Sequence, residues 1–174
     1  MRKKSDNKVK LNEPNISSSF VSEVKQIIYL GRQKAYASIN SAMMETYWNI
    51  GKRIVIEEQK GDKRAKYGKR LIQELSKELT GTFGKGFSPR YLAYFRLFYT
   101  VIPDIKILQT RLQNLTWSHI LKTLRVENPV AMRWYLDTAA EQMWSVKTLD
   151  RNISTQYYER HYKAPIPQKK KKEA

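Results

Sequence analysis

The stretch YGKRLIQELSKELTGTFGKGFSPRYLAYFRLFYTV, Tyr67 to Val101, decides the reading of this chain. Leu71, Leu75 and Leu79 recur at i, i+4 and i+8, which is the spacing of one helix face. Gly81, Gly84 and Gly86 then interrupt the pattern. Ser88 is a natural N-cap, and Pro89 fits the first helical position because its missing N–H would have no partner there. The second helix runs to about Ile102, where Pro103 stops it. Its expected core face is Leu92, Phe95, Tyr99 and Ile102, with Phe83 and Phe87 turned inward to anchor the turn. Helix, glycine turn and helix over about 67–102 form the outline of a helix-turn-helix.

On a helical wheel Arg90, Ala93, Tyr94, Leu97 and Val101 lie opposite that core face, with Arg96 on the flank. In a helix-turn-helix the start of the second helix meets base edges in the major groove. Arg90 is then the candidate base reader, since a guanidinium donates two bonds to guanine. Tyr94 would stack or bond phosphate. The competing reading is structural: Arg96 pairs with an acid on the helix and Leu97 packs under the wing or in a dimer. Lys66, Lys69, Arg70 and Lys85, with Lys63 and Arg64, suit phosphate contacts, although each is equally a residue of a solvated face. Ile105, Ile107, Thr110 and Leu112 hint at an extended piece within 104–116. If it forms a wing, Lys106 and Arg111 are its contacts; the other reading is a plain loop.

Charge supports a polyanionic partner. The net charge is +17 and the pI about 10.0. Residues 61–126 hold thirteen Lys or Arg against four acids, a net of +9, whereas residues 127–163 hold five of each and balance. The excess therefore surrounds the candidate reader. At 41% apolar residues the chain can build a core and is not a disordered polycation. The absence of cysteine excludes disulfides, thiolate metal sites and cysteine nucleophiles, and suits the cytoplasm. No apolar run reaches bilayer length, so no membrane span is expected.

Outward from the centre, residues 1–16 read as a disordered basic tail and 164–174 as a disordered Lys-rich tail. Between them a single helical domain, 17–163, is expected. Ser17, Ser18 and Ser19 offer N-caps for a long helix to about Glu58, with a stripe of Val24, Ile28, Gly31, Ala35, Ile39, Ala42, Met43, Ile50 and Ile54. That stripe is longer than one small domain needs, which suggests a bend or an oligomer interface. Glu57 to Lys66 reads as a charged connector. Three more helices are expected at Ser118–Val126, Pro129–Met143 and Ser145 to about Tyr162. The fold class is mostly α: a helical domain with a winged helix-turn-helix-like core and a long N-terminal helix.

Several segments carry a resemblance. Tyr47-Trp48-Asn49-Ile50-Gly51, Ala65 to Leu71, Gly84 to Ser88, Leu115 to His119, Trp144-Ser145-Val146 and Gln156 to Arg160 together resemble the N-terminal domain of the bacterial YhcG family. The resemblance covers about residues 20–162. It implies a mostly helical, winged-helix-like, DNA-binding domain that precedes a nuclease-like domain of the PD-(D/E)xK superfamily. Such a nuclease core needs strand-borne carboxylates and a lysine around a metal ion. Pro103-Asp104 has no Glu-x-Lys after it, and Glu23-Val24-Lys25 falls in an expected helix. The chain stops at residue 174, so no catalytic residue, metal or cofactor is assigned and the chain is expected not to be an enzyme.

Other motifs carry less. Ser118-His119 would need an oriented acid and an oxyanion site to act as a hydrolase, and reads better as a cap beside a half-buried histidine. The turn 81–86 lacks the terminal Gly-Lys-Ser/Thr of a phosphate loop. Trp117, Trp134 and Trp144 lie on apolar faces and read as core. The favoured function is a DNA-binding module, on duplex DNA, serving a nuclease-like domain. The alternative is a protein-interaction or dimerisation scaffold, with a homodimer as partner. RNA binding ranks below both because no exposed aromatic sheet or KH-type loop is evident.

Overall fold

Ser17 opens the first helix, its hydroxyl accepting the N–H of Phe20 at 3.2 Å. The computed structural model of the protein describes residues 16–60 and 65–162. The two expected tails therefore lie outside the described residues but for Ile16, as do Lys63, Arg64 and the side chain of Lys66. Helix α1 is Ser18–Lys60, α2 Ala65–Phe83, α3 Pro89–Val101, α4 Ile105–Thr110, α5 Trp117–Thr123, α6 Pro129–Glu141, α7 Val146–Ser154 and α8 Tyr157–Tyr162. A single 3-10 turn, Lys85–Phe87, joins α2 to α3. The described residues are mostly helical and include no strand.

The chain divides into two compact units, Met1–Ser38 and Ile39–Ala174. In the first unit the described residues are one exposed stretch of α1. The second unit holds the core. Its larger cluster gathers Met44, Trp48, Phe98, Ile102, Leu115, Ile120 and residues of α6 and α7, including Tyr135, Leu136 and Leu149. A smaller one joins Ile54 to Leu92 and Phe95, with Ile72, Leu75 and Leu79 packed against it. Tyr47 stacks on Phe95 with ring centroids 4.4 Å apart, and Trp117 tilts against both.

Two contacts fix α1 against α3. A Cβ on Gly51 would collide with the carbonyl oxygen of Phe95, so only glycine allows this approach. The buried indole of Trp48 donates to the carbonyl of Ile102 at 2.6 Å, satisfying a group that the end of α3 leaves free.

Several expectations change. Helix α1 is buried only near its end, at Met44, Trp48, Gly51 and Ile54, of which only Ile54 belongs to the expected stripe; Ala42 and Met43 are exposed because the packed face is rotated from the apolar one. On α3 Phe98 takes the buried place assigned to Tyr99, which is half-buried and packs edge-on against Trp48. Phe83 is 68% exposed instead of anchoring the turn; its ring meets that of half-buried Phe87 edge to face, centroids 5.9 Å apart. The expected wing is helical. Asp104 caps α4 by accepting the N–H of Lys106 at 2.9 Å, and Leu108 and Leu112 are buried. The last expected helix is two, because Gln156 adopts φ 52 and its N–H bonds back to Ile153. Other caps match the sequence: Ser88 for α3, Asn128 for α6 and Ser145 for α7.

Candidate nucleic-acid interface

The start of α3 is built by its cap. Ser88 accepts the N–H of Tyr91, Pro89 occupies the first turn, and the helix then presents Arg90 and Tyr91 on its exposed side. Arg90 Nη2 donates to the Tyr94 hydroxyl at 3.4 Å, and its guanidinium lies 5.7 Å from the centre of that ring. The Arg90 hydrogen bond pulls the Tyr94 hydroxyl below its ordinary pKa, and Arg125 just beyond α5 acts in the same direction. Arg90 itself is pushed up by that bond. Arg90 and Tyr94 thus pair at the first turns of α3, with Arg125 near enough to favour the charged form of the phenol. Arg125 joins this pair only through the packing of α5, and Leu124-Arg125-Val126 carries no local mark that would have singled it out. Tyr94, Leu97 and Val101 are half-buried against the larger core cluster, so the face opposite Phe95 is narrower than the wheel implies.

The remaining candidates separate by their partners. Arg96 donates from Nε to Glu58 on α1 at 2.8 Å. Gly68 lies close beside Glu58: a Cβ there would stand 2.7 Å from its carboxylate. Arg96 therefore straps α3 to α1. Arg111 reaches Asp137 at 3.4 Å, where Arg133 also binds at 3.1 Å. Arg70 pairs along its own helix with Glu74 at 2.7 Å, which raises its pKa. Among the described residues Arg90, Lys69, Lys85 and Lys106 have no carboxylate partner, and all four are exposed. Lys106 sits in the first turn of α4, not on a strand.

His119 is structural. Its Nδ1 accepts the N–H of Thr116 at 3.0 Å, closing a capping box at α5, and its Nε2 donates to the carbonyl of Trp144 at 2.9 Å. Thr116, not Ser118, is the cap. No group of three or more His, Asp or Glu among the described residues is placed to hold a metal ion. No helix of the described residues is long and apolar enough to cross a membrane.

The DUF1016 N-terminal domain matches residues 23–160. A curated protein of Escherichia coli (strain K12) named "Putative nuclease YhcG" is 35% identical over 158 residues, an alignment that covers 74% of this chain and 42% of that protein. The chain thus spans about two fifths of that relative's length. No solved structure matches. The resemblance carried by the quoted segments holds. The expectation that the chain is not an enzyme does not: a relative this similar bears the name of a nuclease, and the lack of a local carboxylate motif was no ground for setting that activity aside.

Proposed function

Because the chain belongs to the DUF1016 N-terminal domain family, we propose that it binds nucleic acid, in the first place duplex DNA, for a protein with the nuclease activity that its relative's name carries. The observation that carries this reading is exposed Arg90 bonded to half-buried Tyr94 at the start of α3, with exposed Arg125 beside them, inside the stretch of net charge +9. In this reading α2, the 3-10 turn and α3 act as a helix-turn-helix. Arg90 meets base edges, Tyr94 positions it, and Lys69, Lys85, Arg125 and Lys106 meet phosphates. Arg96 and Arg111 keep their places in the fold through Glu58 and Asp137.

The test is fluorescence anisotropy with labelled duplex DNA, single-stranded DNA and RNA over a salt series. Neutralising about five phosphates would give a slope of log affinity on log salt near −4.5 for duplex. Arg90→Ala should lose about 1–3 kcal/mol on the preferred sequence and flatten the preference, whereas Lys69→Ala should weaken all sequences alike. Absence of binding to every probe at low salt would refute the proposal.

A further inference from the structure

The first unit exposes large apolar side chains to water. Phe20, Ile27, Ile28, Tyr29, Leu30 and Tyr36 are each between 50% and 73% exposed. At 150–250 Å² for a large aromatic and somewhat less for an aliphatic side chain, these six leave roughly 700 Å² of apolar surface in water. The six lie all round the helix; the single face of Phe20, Val24, Ile27 and Ile28 leaves roughly 350 Å², the size of the largest patch on a typical monomer, so an interface of roughly 800 Å² per partner needs this face and a second surface from each copy. Gly31 lies on the Phe20–Val24–Ile27 side, and a Cβ there would meet nothing within 4 Å, so the small residue serves no close approach inside the chain.

The second unit carries the complement. Between α1 and α2 runs an open apolar groove of about 570 Å³, lined by Ile50, Ile54, Leu71, Leu75 and Leu79. Its α1 wall, Thr46 to Glu57, is about three helical turns, or roughly 16 Å, long. The stripe Phe20, Val24, Ile27, Ile28 and Gly31 is also about three turns long, at the i, i+4, i+7, i+8 spacing that a two-helix groove accepts. On the rim, Arg53 and Glu57 are already paired at 3.2 Å, so covering the groove strands no lone charge there.

We propose that the occupant is a second copy of this chain: the Phe20–Gly31 face of each copy lies in the α1–α2 groove of the other, closing a two-fold dimer. One chain supplies both halves of the fit, and reciprocal exchange buries both halves in both copies, which ends the association at two. The interface is apolar and each chain carries +17, so salt strengthens the dimer by screening repulsion. Nucleic-acid binding responds in the opposite sense, which makes failure of the two proposals separable.

The chain contains no cysteine, so single thiols report cleanly. An Ile27→Cys chain is mixed with a Leu75→Cys chain of different tagged mass and oxidised; equivalent mixtures use Leu71→Cys and Leu79→Cys. A mixed disulfide in at least one mixture supports the proposal. A disulfide only between two Ile27→Cys chains, or no disulfide in any mixture, overturns it. Sedimentation equilibrium supplies the second measurement: the unsubstituted chain should be a dimer of the 20.6 kDa protomer. Ile27→Lys should weaken dimerisation by on the order of a hundredfold with an unchanged circular dichroism spectrum, because Ile27 is 69% exposed and supports no core. An unsubstituted chain that stays monomeric at all concentrations, or an Ile27→Lys chain that dimerises normally, overturns the proposal.

Discussion

His119 accepts with Nδ1 and donates with Nε2, so the folded state holds it as the neutral tautomer. Burial pushes its pKa below the ordinary 6.5, against the smaller opposing pull of the Trp144 carbonyl. The folded state then binds fewer protons than the unfolded one. Stability is present in full above pH 6.5 and is lost as pH falls from there through the lowered folded value. Urea titrations across that window should show the midpoint falling with acidity, and His119→Gln should flatten the dependence. Arg96 and Arg90 divide in the same residue-by-residue manner. Arg96→Ala should cost roughly 1 kcal/mol or less of folding stability, because its partner Glu58 is half-buried but Arg96 itself is about half exposed. It should leave nucleic-acid affinity nearly unchanged, whereas Arg90→Ala should do the reverse. A melt and an anisotropy titration on each variant decide the point.

Among the elements, α1 and α3 are set by glycine geometry more than by side-chain volume. Gly51→Ala drives a methyl into the Phe95 carbonyl and should destabilise the protein by about 3 kcal/mol or more. Gly81→Ala, inside α2 with nothing within 4 Å of the new Cβ, should stabilise it by about 0.5–1 kcal/mol. Thermal melts of the pair would show shifts of opposite sign. This contrast also marks what the sequence could tell. Helices α3, α6 and α7 were legible because Ser88, Asn128 and Ser145 announce their starts with local capping chemistry. Helix α4 was not, because six residues are too few for a period and Ile105, Ile107 and Leu112 fit either an extended or a helical phase. Its phase is settled by the Asp104 cap and by burial of Leu108 and Leu112. The face of α3 was half legible: Arg90 follows from the wheel, but Arg125 and Glu58 arrive from distant segments that no local spacing connects to it.

At the scale of the molecule, the uneven charge and the uneven burial fall on different parts of the chain. The surplus of +9 lies in 61–126, while the exposed apolar surface is concentrated in the first unit. Salt is therefore a diagnostic variable: raising it should dissociate nucleic acid from the chain without dissociating protein from protein. Helix α1 belongs to both units, with every described residue before Ile39 exposed and Met44, Trp48, Gly51 and Ile54 buried. Amide hydrogens along this single helix should consequently exchange with deuterium on two clocks. Those before Ile39 would be released by local fraying, and those around Trp48 only when the surrounding unit opens. Protein concentration becomes the dial: if copies associate through Phe20 to Gly31, the fast clock should slow as the sample is concentrated while the slow one keeps its pace.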